Sequence, residues 1–433
     1  MNHNKTVYKS ARKLWLKLFL ISILTPLFSQ ILINFHVSEF ITKPLGVVDE
    51  LFVICLFLKS LFIYKTIKFG SFELFLVVFL IIGFLACYIN GVPPLISFLG
   101  AFNIVKGMLI YICFRNIKFS LKEIVYVLKI LCSLLPVIVV SDFFDIIWPN
   151  FRSSIGYDAN QVPEERLGIT SVYGFFAPTS ISFLCNTIYV IYLVYFRKQR
   201  LPRYISALLL FLTLKVKDTF AFIMVLFFST AKRIKAVYML GGALLFAIMI
   251  MLYSIYLPDH FDHYFQDEKE GSNARTATVF TCALIIYDNF PLGVGFGRFA
   301  SSTAEQFESP VYAHYGIDKV NGLDYEGNSE FINDSFWPMI LGETGALGFV
   351  VYVFLLYLCF YPYLKNYFNN THDHRYAFVS LVFIFAFVCS LAKATLNGPP
   401  DSHLIWGFAG IYYQLAFIQN NRLINSKNEN QDI

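Results

Sequence analysis

Apolar runs of about 20 residues recur along the chain, parted by short polar stretches, and this is the length a helix needs to cross a hydrocarbon core of roughly 30 Å. Spans are predicted near 14–35, 45–64, 72–90, 95–114, 123–148 and 172–196, then as a pair within 203–231, and again at 236–257, 336–361, 376–396 and 402–419. Basic clusters fall between alternate spans. They are the N-terminal group, Lys65 with Lys68, Arg115 with Lys118 and Lys122, 197–203, 232–235, 365–375, and Arg422 with Lys427. By the positive-inside rule they mark the cytoplasmic face, and non-basic turns such as 90–94 and 397–401 mark the other. The pattern predicts an all-α polytopic membrane protein of about twelve transmembrane helices with both termini cytoplasmic.

Composition agrees. Of 433 residues, 57% are apolar and 15% charged, against roughly 25% charged in a soluble domain. The first run is too long for a signal-peptide core and reads as a retained helix. Seven of the eight cysteines fall in predicted spans and Cys282 in a loop, so neither a disulfide framework nor a zinc site is indicated. The net charge of +5 sits in short loops beside spans and gives no reason to expect a nucleic-acid partner.

Two stretches depart from helix after helix. The segment between Arg203 and Lys232 is flanked by basic clusters on both sides, so the chain must return to the face it left, yet it is too short for two full crossings. Two short half-helices, 204–214 and 219–230, satisfy both conditions, with a break at 215–218 ("KVKD"). That break would lie inside the bilayer, where irregular backbone survives only beside a cavity and where charge marks a functional site. The second departure is the loop 258–335 between the ninth and tenth spans. It carries thirteen acidic and four basic residues, a net of −9, and belongs outside. Within it an amphipathic helix is predicted at 274–288, followed by "PLGVGFGRF", whose alternating glycines lack the strand-then-helix context of a nucleotide loop. The chain thus divides into a transmembrane bundle at 1–257 (spans 1–9), a loop at 258–335, spans 10–12 at 336–419, and a polar cytoplasmic tail at 420–433.

Several motifs occur together: "RLGITSVYGFFAPTSISFL" from Arg166, the lysine-bearing break at 215–218, Arg275 opening the loop helix, "FPLGVGFGRF", and "INDSFWPMILGETGALGF" from Ile332. In this order they resemble the O-antigen polymerase and O-antigen ligase family of bacterial envelope glycosyltransferases, over roughly 166–360. The resemblance implies a multi-pass enzyme of the inner membrane with its site facing the periplasm. Its substrates would be undecaprenyl-diphosphate-linked oligosaccharides, with no metal or other cofactor and a chain-length regulator protein as a partner. By the same resemblance Lys217 stands where the family commonly has an arginine, Arg275 at the arginine of the loop helix, and Asn333 where ligases place a histidine.

A glycan on a lipid diphosphate already carries a leaving group, so such a site must hold the diphosphate, offset the developing charge and orient or deprotonate an acceptor hydroxyl. Lys217 and Arg275 are the catalytic candidates for the charge, with Lys215, Arg298 and Arg166 as further substrate-binding cations. Asp334 and Glu343 are candidates for the base, and Asn333 for a substrate contact. Glu343 would lie two and a half turns deeper than Asp334 in a regular helix. Asp334 also suits a helix N-cap. His260 and His263 lack a clear third metal ligand. Lys106, Asp142 and Asp145 are further charges within spans. The reading preferred is a polymerase extending a glycan, because asparagine at 333 cannot act as a base. The ligase, and a lipid-linked oligosaccharide flippase, are its rivals.

Overall fold

The structure, a computed structural model, describes residues 2–63, 69–148, 165–166, 169–172, 174–176, 178–230, 274–329, 331–369 and 373–418. The predicted span 236–257, His260 and His263, and the tail 420–433 lie outside these residues. So does the Arg166 side chain, although its backbone pairs with Ile169 in a two-residue hairpin.

The molecule is a helical membrane protein. Among the described residues five stretches are long and apolar enough to cross a bilayer: Arg12–Asn34, Ser71–Ile89, Pro94–Arg115, Leu121–Phe144 and Phe336–Asn369. In chain order the helices are α1 (Asn2–Asn34), α2 (Glu39–Leu58), α3 (Ser71–Ile89), α4 (Pro94–Arg115), α5 (Leu121–Cys132) and α6 (Leu135–Ile147). There follow α7 (Pro178–Val194), α8 (Arg200–Leu212), α9 (Val216–Thr230), α10 (Ala274–Asn289), α11 (Ser302–Gln306) and α12 (Val311–His314). The last three are α13 (Phe336–Asn369), α14 (His374–Cys389) and α15 (Asp401–Tyr413). Each predicted span that falls on described residues overlaps helix, but 123–148 is divided between α5 and α6, and 376–396 is helical only as far as Cys389.

The two ends of the bundle are tied differently. On the basic side the Arg115 guanidinium pairs with Glu73 at 2.5 Å, and Gln414 donates to the Arg115 carbonyl at 2.6 Å, joining α3, α4 and the end of α15. On the opposite side Asn90 donates to the Gly293 carbonyl at 3.1 Å, so the segment after α10 seats on the end of α3.

That segment does not stay outside. The Phe296 ring is fully buried, 5.7 Å from Phe79 and 5.5 Å from Phe84, over Gly83 of α3. Asn103, well inside α4, donates to Thr303 of α11 at 3.1 Å. The glycines predicted as a weak nucleotide motif are therefore a packing device. Gly297 (φ +75) lies against Ile96 of α4, and Gly295 (φ +96) against Cys87 of α3, where a Cβ would meet backbone or sulfur.

The predicted span 336–361 also needs correction. Gly345 has φ 70 and ψ −171 inside α13, and the chain reverses there. The Phe336 ring lies 5.6 Å from Tyr352 and the Trp337 ring 5.8 Å from Phe349. In a straight helix at 1.5 Å per residue the first of these pairs would stand about 24 Å apart. Residues 336–344 are thus a short helix folded back on 346–369. Val294 and Gly295 donate to the Gly342 and Glu343 carbonyls, each at 2.9 Å, and Leu347 donates to the Pro291 carbonyl at 3.2 Å, so the backbone groups freed by the turn are satisfied by the glycine segment.

Candidate functional site

The break between the half-helices falls at 213–215, earlier than the predicted 215–218. Leu214 is in the left-handed region (φ 52), and the Lys215 carbonyl accepts from Asp218 and Thr219 N–H, so the helix restarts at Val216. Lys217 and Asp218 are therefore in the first turn of α9 rather than in the break. Asp218 is buried and its carboxylate accepts from the Cys389 thiol at 3.4 Å.

Around Lys217 the fold gathers residues from distant parts of the sequence. The Lys217 ammonium donates to the Ala392 carbonyl at 3.1 Å and interacts electrostatically with Asp334, Asp218, Lys393 and Arg275. Arg275 Nε donates to Asp334 Oδ2 at 3.0 Å and its Nη2 pairs with the same oxygen. Lys393 Nζ donates to Asp401 Oδ2 at 2.8 Å. Three cations and three carboxylates thus form one cluster. Four helices begin at it: Lys217 is the second residue of α9, Arg275 the second of α10, Asp334 lies just ahead of α13, and Asp401 opens α15. Helix N-termini present unsatisfied N–H groups and partial positive charge, which favour an anion.

The cluster is deep but not sealed. Because 336–344 folds back, Asp334 stands beyond Phe336, at the level of Tyr352, well below the turn at Gly345. Yet the Arg275 and Asp334 side chains remain 35% and 22% exposed, so the cluster reaches the surface on that side. α10 walls the cluster. Ala274, Ala277, Thr278 and Cys282 are buried, with the Cys282 thiol 3.6 Å from the Pro338 carbonyl of α13. The opposite face exposes Val279, Phe280, Leu284 and Tyr287. Apolar on both faces, α10 is suited to lie against lipid rather than in water.

An apolar groove of about 470 Å³ runs between α13 and α14, lined by Trp337, Phe349, Leu356, Phe360, Phe383 and Leu391 among others. Its head adjoins the cluster. Trp337 follows Asp334 by three residues and donates to Ser390 at 3.1 Å, and Leu391 precedes the Ala392 carbonyl that holds Lys217.

The structure therefore brings together Lys217, Arg275 and Asp334, with Lys215 at the start of α9 and Asn333 alongside. Glu343 is elsewhere. It stands at the turn, fully buried, where its Oε1 accepts from Ser301 Oγ at 2.7 Å and Phe299 N–H at 3.2 Å. It stands at the far end of the short helix from Asp334, toward the turn rather than deeper, because the chain reverses just beyond it at Gly345. Arg298 lies in the glycine segment, its carbonyl accepting from Ser309 at 2.6 Å, within electrostatic reach of Cys87 and away from the cluster. Lys106 is paired with Asp49 of α2 at 3.3 Å. Asp142 is buried in α6 beside Cys185.

Two members escaped the sequence reading: Lys393 and Asp401. Lys393 falls in the predicted span 376–396 and carries the same signal as the lysines at 215–217, a charge within an apolar run. Among the described residues no group of three or more His, Cys, Asp or Glu side chains is placed to hold a metal ion. Comparison with protein-family models and with curated proteins finds no match to the chain. What the fold and site define is a helical membrane protein in which three cations and three carboxylates meet beside an apolar groove.

Proposed function

We propose that the chain is a membrane glycosyltransferase of the polysaccharide-polymerase type. It transfers a growing glycan from undecaprenyl diphosphate to a new lipid-linked repeat unit at the periplasmic face of the bacterial inner membrane, across a bundle of about twelve crossings. One observation carries the reading: Lys217, Arg275 and Lys393 meet at four helix N-termini, at the head of an apolar groove open to lipid. A lipid diphosphate has these two parts, a compact anion and a long hydrocarbon tail.

On this reading the tail lies along α13 and α14 and the diphosphate enters the cluster. The site at rest has a carboxylate for each cation, so it is close to neutral. A diphosphate would compete with Asp334 for Arg275 and draw Lys217 and Lys393 from their partners. As the anomeric bond breaks, negative charge grows on the phosphate oxygen, and preorganised cations stabilise it without the reorganisation that water would need. Trp337, at the junction, is placed to separate the polar head from the tail.

The polymerase form is preferred to the ligase because the Asn333 amide, unlike an imidazole, takes up no proton near neutral pH and instead donates to Glu305 at 2.8 Å. A deletion strain tests the choice in one gel. Loss of a polymerase leaves single repeat units attached to lipid A-core, giving one short band in place of a ladder. Bare core would reject it: polymer stranded on undecaprenyl diphosphate would then indicate a ligase, and unpolymerised units held on the cytoplasmic side a flippase.

A further inference from the structure

Asn333 leads to a carboxylate that the sequence reading leaves out. Glu305, in α11, accepts from Asn333 Nδ2 through Oε2 at 2.8 Å and from Ser329 Oγ through Oε1 at 3.4 Å. Asn333 and Asp334 are adjacent, and neighbouring Cα atoms lie about 3.8 Å apart, so the Asn333 side chain holds Glu305 one residue along the chain from Asp334. α11 is firmly held. Ser301 caps it by accepting from Ala304 N–H while donating to Glu343 at 2.7 Å, Asn103 of α4 donates to Thr303, and Tyr325 donates to the Ala304 carbonyl at 3.2 Å. The carboxylate is thus presented by a short element anchored to the bundle, not by a free loop.

We propose that Glu305 is the general base of the glycosyl transfer, oriented by Asn333; the assignment rests on the polymerase reading above. The acceptor hydroxyl gives its proton to the Glu305 carboxylate as its oxygen forms the bond to the anomeric carbon. The bond from that carbon to the diphosphate oxygen breaks, and its electron pair leaves on the diphosphate, where Lys217, Arg275 and Lys393 hold the charge. Asp334 is otherwise engaged, since one of its oxygens takes two donors of Arg275. Its part is to aim the guanidinium. Burial pushes the Glu305 carboxyl above the usual range, against the pull of its Asn333 and Ser329 donors, and a carboxylate so placed accepts a proton more readily near neutral pH. Asparagine at 333 then makes sense beside its family counterpart: it holds a base instead of being one.

The test uses the full chain in two assays. In the deletion strain, Glu305→Gln keeps the size and polarity of the side chain but cannot take the proton, and polymer should fall about a hundredfold or more. The same variant, purified in lipid nanodiscs, should bind undecaprenyl diphosphate as the wild type does, because the donor-holding cations are untouched. Glu305→Asp should recover part of the ladder. Asn333→Ala should shorten it, and Asn333→His, which keeps a donor, should restore it where a merely structural role would not. A full ladder from Glu305→Gln overturns the proposal. Failure of the underlying reading looks different: the wild-type chain would not bind undecaprenyl diphosphate, or the deletion strain would keep its ladder, and the base assignment would fall with it.

Discussion

Two groups of charges lie inside this bundle, and they are built on opposite principles. In the first, Lys106 of α4 pairs with Asp49 of α2 at 3.3 Å, and His403 of α15 lies 3.9 Å from the same carboxylate. Their side chains are 6%, 3% and 0% exposed. In the second, Arg275 and Asp334 are 35% and 22% exposed, and Arg275 lies in the first turn of α10 while Asp334 lies just ahead of α13. Both would count as functional sites if intramembrane charge were the only criterion. The difference is access. In the first group Lys106, Asp49 and His403 are shut away from solvent, with Glu50, 32% exposed, at its edge, and the group fastens α2, α4 and α15. The second reaches the surface and adjoins an apolar groove, which is what a ligand requires.

The largest expected effect lies in the closed group. Lys106→Ala leaves Asp49 buried without its partner, and breaking such a pair costs about 3–5 kcal/mol. Yield and thermal stability in detergent should fall sharply, along with any activity. A variant that folds normally and loses only activity would move Lys106 from scaffold to site.

Arg275→Ala should do the reverse. The protein should insert and melt nearly as the wild type does, while transfer falls about a hundredfold, on the order of 3 kcal/mol in the barrier. Arg275→Lys should recover only part, because an ammonium lacks the planar fork. A normal ladder from a properly inserted Arg275→Ala protein would remove the residue from the mechanism. Lys393→Gln should slow transfer by less than Arg275→Ala, because Asp401 already engages the wild-type ammonium, and it should also cost stability, because it leaves the Asp401 carboxylate, 3% exposed, without its cation. Unchanged transfer by a properly inserted Lys393→Gln protein would remove Lys393 from the mechanism.

A smaller effect tests the scaffold under the open group. Gly345→Ala forces a Cβ into the left-handed region, at roughly 1–2 kcal/mol for the backbone alone, and toward the Leu292 carbonyl. Melting temperature should drop, and the loss should be largest where the glycine segment seats on the turn, read as faster proteolysis of 291–301. Unchanged stability would mean that the reversal is not fixed at Gly345.

The contrast was only partly legible in the sequence. Apolar runs and basic loops locate the helices because both follow from the cost of polar groups in lipid, which acts locally. The half-helix pair is legible for the same reason: too few residues return the chain to its starting face. The position of the break is not, because Lys217 and Asp218 look like breakers but serve as the first turn of α9, and Leu214 makes the turn instead. The reversal at Gly345 is hidden because "LGETGALG" reads as continuous apolar helix, and only contacts with 291–295, distant in sequence, reveal it. Glu343 was misplaced for that reason. Arg275 and Asp334 were legible as residues but not as a pair, since 59 positions separate them. The helix α10 was expected to be amphipathic, and its second apolar face becomes meaningful only beside lipid.

The central claim is that the Lys217 cluster opens to water on the face opposite the basic loops. Val216, the first residue of α9, is 37% exposed and adjoins Lys217. A Val216→Cys protein in intact membranes should react with a small membrane-impermeant thiol reagent added from the periplasmic side, well above the background of the native cysteines, and undecaprenyl diphosphate should slow the reaction. Labelling only from the cytoplasmic side, or none from either, would contradict the account.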